Sequence, residues 1–139
     1  MVKTRMSEAI SDTGTSFIGG PQSETNRLAK AIGATYLREY QLYTIPCNAH
    51  PPSLDIYIGS RKYSIEAKNY IVDSIKSKNR PLKNWLLQAG DNMCLFAVFP
   101  FSYGGIGPAW ILGDPFIRQY CNIHDMKQKR IGFAKSLSG

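Results

Sequence analysis

The sequence predicts a single α/β domain built on a mixed central sheet of about five strands flanked by helices. Three patterns carry this reading. Apolar residues recur at helical spacing in 21–33 and again in 80–92, alternate like a strand hairpin in 54–68, and run unbroken through "MCLFAVFPF". With 139 residues and 43% hydrophobic content the chain is long enough for one core and short for two.

Residues 1–20 are rich in Ser, Thr and Gly without sustained periodicity, and read as a flexible N-terminal segment ahead of one domain over 21–139. In "GPQSETNRLAKAIGA", Pro21 suits a first helical turn, Leu28, Ala29 and Ile32 fall near helical spacing, and Gly33 suits a C-cap. "ATYLREYQLYTIP" has strand composition and stops at Pro46, before a loop rich in proline. The hairpin follows. "RPLKNWLLQAGDN" then sets Leu82, Trp85, Leu86 and Ala89 at helical intervals, and "MCLFAVFPF" suits a strand covered on both faces. "AWILGDPFIRQYC" reads as a strand turning at Gly113 into a short helix, and the tail from Met126 is basic and weakly patterned.

The formal charge of +7 favours a polyanionic partner, because Lys and Arg displace the counterions condensed on a nucleic acid. The ordinary alternative is a basic protein kept soluble by its charge. Cys47, Cys94 and Cys121 are odd in number and form no C-x-x-C pair, so reduced thiols are expected, with neither a disulfide framework nor a zinc knuckle. No segment has the length and apolarity of a membrane span, and the N-terminus has no signal-peptide run; the expected location is intracellular. No zinc finger or recognition-helix signature supports base-specific readout.

The hairpin "LDIYIGSRKYSIEAKNY" gathers charge on one face. Alternation turns Leu54, Ile56, Ile58, Tyr63, Ile65 and Ala67 inward and Asp55, Ser64, Glu66 and Lys68 outward. A turn centred on Ser60 and Arg61 sets Asp55 directly opposite Glu66. Like charges so opposed are destabilising. A divalent cation between them removes the repulsion, and hard oxygen ligands favour Mg²⁺, with Mn²⁺ as a substitute. Lys68 then places an ammonium beside the metal, where it orients water or stabilises phosphorane charge. Solvated carboxylates on an outward face are the plain alternative.

The spacing of S-L-D and E-A-K resembles the signature of the PD-(D/E)XK nuclease superfamily, with Asp55 matching its first acid and Glu66 and Lys68 its E-x-K. The order of Glu24 in a first helix, Asp55, Glu66-Ala67-Lys68 and Gln88 is similar to that of the archaeal-type Holliday junction resolvases, over roughly residues 20–120. The small size suits a viral or phage member as well as a cellular one.

That resemblance implies a restriction-endonuclease-like core, with Glu24, Asp55, Glu66 and the carbonyl of Ala67 binding Mg²⁺, and Glu24, Asp55, Glu66 and Lys68 catalytic. Gln88 is implied as support for the active site, or is an ordinary solvated helix residue. The implied activity is metal-dependent cleavage of four-way DNA junctions by a homodimer. The alternatives are action on linear duplex or single strands, or DNA binding without catalysis. Arg61, Lys62, Lys76, Lys78, Arg80 and Lys83 are the candidate phosphate contacts, each with a solvated cation as its alternative. Lys127, Lys129, Arg130, Lys3 and Arg5 are secondary candidates, and His50 is a loop histidine within reach of an acid-base role.

Overall fold

A computed structural model describes residues 2–6, 8–73, 92–102 and 109–137. Strands dominate it. In chain order they are β1 (Val2–Met6), β2 (Ala9–Ser11), β3 (Ile18–Gly20), β4 (Thr35–Leu37), β5 (Leu42–Pro46), β6 (Leu54–Ile58), β7 (Arg61–Ile65), β8 (Ile71–Val72), β9 (Met93–Phe96), β10 (Val98–Pro100), β11 (Trp110–Leu112), β12 (Tyr120–Asp125) and β13 (Arg130–Lys135). The helices are α1 (Gln22–Ile32), the single turn α2 (Ala67–Tyr70) and α3 (Asp114–Gln119).

Among the described residues the strands form four small sheets in the orders β1-β6-β7, β10-β3-β11-β2, β4-β5-β9-β8 and β12-β13. The fold is therefore predominantly β, which corrects the expectation of one central sheet flanked by helices. The continuous apolar run divides at Ala97 into β9 and β10, which belong to different sheets. Ala97 is fully buried at this corner; its amide donates to the Tyr70 carbonyl and its carbonyl accepts from the Ile18 amide. Continuous apolarity thus records burial on both sides of a corner, as it would for a central strand.

Residues 2–20, expected to be a flexible lead-in, contribute three strands. In β1 the buried residues Val2, Thr4 and Met6 alternate with exposed Lys3 and Arg5, the period of a half-buried strand. Short strands separated by Ser, Thr and Gly leave too few residues for that period to show in sequence. α1 does begin after Pro21 and end at Gly33, whose φ of 78° is the left-handed conformation that glycine adopts readily. The helix expected over 80–92 lies outside the described residues.

One core spans the sheets. Tyr43, Tyr70, Phe96, Phe116, Ile18, Leu28 and Leu54 are among its fully buried side chains. At its C-terminal end Phe116 meets Tyr63, Tyr120 and Phe133 at centroid distances of 5.8, 5.1 and 5.0 Å, which fastens α3 and the β12–β13 hairpin to β7. Cys47 and Cys94 are joined by a disulfide beside the β5–β9 pairing, while Cys121 is free and exposed. The expectation of three reduced thiols is corrected accordingly. Spacing in sequence gave no sign of the pair, because strand pairing rather than proximity in the chain brings the two together.

Candidate active site

The chain from β2 to β3 makes a turn over residues 12–17, and both flanking strands pair with β11, which lies between them: parallel to β2, antiparallel to β3. The turn therefore arches over the end of β11. The Asp12 amide donates to the Leu112 carbonyl at 3.0 Å, and the Asp114 amide donates to the Thr15 carbonyl at 2.9 Å, tying the arch to the start of α3. Gly113 sits beneath it. A Cβ on Gly113 would stand 2.2 Å from both the Thr15 and Phe17 carbonyl oxygens, so the arch descends only because the side chain is missing.

This backbone fixes one carboxylate. Asp12 Oδ1 accepts from the Gly14 amide at 2.9 Å, and Oδ2 accepts from the Thr15 hydroxyl at 2.6 Å. The Thr15 hydroxyl first, and then the Gly14 amide, hold the Asp12 carboxyl below its ordinary pKa against a smaller opposing effect of burial. Asp12 remains partly open to solvent. Its setting differs from those of Glu24, Glu66 and Asp125, which face Arg27, Lys68 and Arg130 at 2.7, 3.0 and 3.3 Å. Neutral donors orient Asp12 and favour its ionised form, and among the described residues no counter-charge occupies it. An oriented, accessible carboxylate of this kind is suited to accept a proton from water or to share one with a second carboxyl group.

The expected metal site is not assembled. Asp55 pairs with Ser64 across the hairpin, and its Oδ1 accepts the Ser64 hydroxyl at 2.6 Å. The turn lies one residue earlier than expected because Gly59, at φ 62°, takes the left-handed position. Glu66 has left the strand and precedes α2, where Ala67 begins the helix; its side chain meets Lys68, which holds its carboxyl below the ordinary pKa. Glu24, on α1, accepts from Thr4 and Arg27. Among the described residues no group of His, Cys, Asp and Glu is placed to hold a metal ion. Arg61 and Lys62 are exposed on β7, and His50 is an exposed loop residue. Gln88, Lys76, Lys78, Arg80 and Lys83 lie outside the described residues.

The fold is thus a predominantly β domain that presents one oriented carboxylate on a glycine-supported arch. The model of the eukaryotic aspartyl protease family matches residues 1–136, and the chain belongs to that family. Over 134 residues it is 56% identical to aspartic protease 6 of Caenorhabditis elegans, covering 96% of this chain and 31% of that protein. It is 42% identical over 127 residues to aspartic protease 2 of Necator americanus (91% and 26% covered) and 38% identical over 132 residues to cathepsin D of Clupea harengus (93% and 30% covered). The chain thus spans between about a quarter and a third of the length of these relatives.

These matches overturn the nuclease reading. A peptide-hydrolase family replaces the PD-(D/E)XK resemblance, and with it go the junction resolvase activity, the Mg²⁺ or Mn²⁺ cofactor, branched DNA as partner and the homodimer that a junction was thought to require. Among the described residues no helix is long and apolar enough to cross a membrane.

Asp12 went unrecognised in "ISDTGTSF". A signal was present: Asp followed by Gly at the second position and Thr at the third is the composition of a turn closed by an aspartate side chain, and here it is bracketed by apolar pairs.

Proposed function

We propose that this chain carries one half of the catalytic centre of an aspartic peptidase, with Asp12 as one of two carboxylates that share a proton. Like charges in such a dyad cannot both ionise, so one carboxylate accepts the proton of the attacking water while the protonated partner donates to the scissile carbonyl oxygen. Atoms and charge balance: water adds to the carbonyl carbon, the C–N bond breaks, and the leaving amine takes a proton back from the dyad. Asp12, held below its ordinary pKa by two neutral donors, suits the ionised role. We assign the partner carboxylate to chain outside these residues, in keeping with the fraction of the relatives' length, between about a quarter and a third, that they span.

The observation that carries this reading is the pair of bonds from Gly14 and Thr15 to the two oxygens of Asp12. Peptides are the proposed substrates. The Cys47–Cys94 disulfide supports maturation in an oxidising compartment.

The test is Asp12→Asn in the protein carrying its whole natural chain. Asparagine keeps the shape and an acceptor oxygen but cannot exchange a proton. Peptide cleavage at acid pH should fall by at least about a hundredfold, with the thermal unfolding profile preserved. Undiminished cleavage by a purified variant would remove Asp12 from the chemistry.

A further inference from the structure

A cavity of about 510 Å³ opens between β1 and α1, lined by Lys3, Thr4, Arg5, Glu24, Arg27 and Tyr57. One wall is fixed by the fold. Arg27 Nη2 donates to the Lys3 carbonyl and to Glu24 Oε2, both at 2.7 Å, and the same Glu24 oxygen accepts the Thr4 hydroxyl at 3.1 Å. The guanidinium is thereby anchored through one nitrogen, and among the described residues Nε and Nη1 have no acceptor and can donate to a ligand.

The strand register arranges the facing wall. Lys3 and Arg5 lie on the exposed face of β1, about 6.6 Å apart as same-face neighbours on a strand. Arg5 pairs with Tyr57, and Tyr57 with Lys62 on β7, so an aromatic ring stands between two cations. In the next row Lys3 pairs with Asp55, whose carboxylate takes up the Ser64 hydroxyl. Lys3, Arg5 and Arg27 all line this space, and its lining carboxylate, Glu24, is already engaged by Arg27.

We propose that this cavity binds a small organic phosphate monoester. Guanidinium forks match the oxygens of a phosphate in two-pronged fashion, and the lysine adds a point charge. The volume lies in the range of small-molecule sites and exceeds what a bare inorganic anion fills. Tyr57 offers an aromatic surface to the organic part. Glu24 Oε1, without a bond of its own among the described residues, is an acceptor for a hydroxyl group. A phosphorylated polyol satisfies both ends.

The experiment is calorimetric titration of the protein, with its whole natural chain, by glucose 6-phosphate, inorganic phosphate and glucose. Glucose 6-phosphate should bind most tightly, phosphate more weakly and glucose not measurably. Arg5→Gln and Lys3→Gln, both exposed, should each weaken binding by roughly tenfold without lowering the unfolding temperature. Arg61→Gln, on β7 of the same sheet but outside the cavity, should leave it unchanged. No binding at about 10 mM, or equal weakening by Arg61→Gln, overturns the site. Phosphate binding as tightly as the ester overturns the ester assignment. Peptide cleavage is measured separately, so these results stand apart from those on Asp12.

Discussion

Replacing Gly113 with Ala tests whether the arch over β11 holds the Asp12 carboxylate, the group proposed above for peptide cleavage. Its φ of −95° is open to any residue, so the substitution acts through space and not through backbone conformation. The new Cβ would meet the Thr15 and Phe17 oxygens at 2.2 Å, when real Cβ contacts essentially never fall below 3.0 Å. At least 0.8 Å of separation, the difference of those two distances, must be found against two backbone oxygens of the arch. Close-packed interiors absorb such overlap at about 1–3 kcal/mol. Withdrawal of the arch also lengthens the bonds from Asp12 N to Leu112 O and from Asp114 N to Thr15 O, each contributing about 1 kcal/mol. The expected loss is about 3–5 kcal/mol in urea unfolding, with a fall in peptide cleavage at temperatures where the variant is still folded. A variant within about 0.5 kcal/mol of the natural protein, with full turnover, would show that the arch does not rest on Gly113.

Two further outcomes follow from the same site and core. Thr15→Val keeps the side chain's shape and removes the hydroxyl that most lowers the Asp12 pKa, so the acid limb of the cleavage profile should move to higher pH; an unmoved limb would detach Thr15 from the titration. The sign for stability is the same: the ionised Asp12 stabilises fully above the ordinary carboxylate range and is lost as pH falls through its lowered folded pKa, so the variant should unfold at less acid pH. Replacing both Cys47 and Cys94 by Ser releases a cross-link between residues 47 apart in sequence, for which the chain-entropy relation gives about 4 kcal/mol at 25 °C. A loss below about 1 kcal/mol in urea unfolding would mean that the strands around it hold that register unaided.

The elements that the sequence made legible are those marked by chemistry at their ends or by a full period along their length. Pro21 and Gly33 bracket α1, and Gly113 separates β11 from α3. The hairpin of β6 and β7 was legible in its faces but not in its partners. Moving the turn from Ser60 and Arg61 to Gly59 and Ser60 keeps the same residues outward and changes the partner of Asp55 from Glu66 to Ser64. Alternation specifies a face, whereas a partner depends on which residue adopts positive φ. β2 and β3, with three residues each, are too short to show a period at all.

The nuclease-like spacing of acids has a related physical origin. Acids set opposite one another point to metal chemistry when a bridging cation is taken as the relief of their repulsion; Asp55, Glu66 and Glu24 instead each meet a hydroxyl or a cation of their own. Proton-sharing chemistry leaves the opposite trace within one chain segment. It needs a carboxylate with no cation beside it, since a salt bridge would fix its charge, and neutral donors that set its direction. Asp12 meets that condition through a glycine amide and a threonine hydroxyl, residue types that otherwise mark an ordinary turn. Turn composition and site composition therefore coincide at residues 12–15. What separates them is β11, distant in sequence, which brings Leu112 and Gly113 beneath the turn and holds its carboxylate in place.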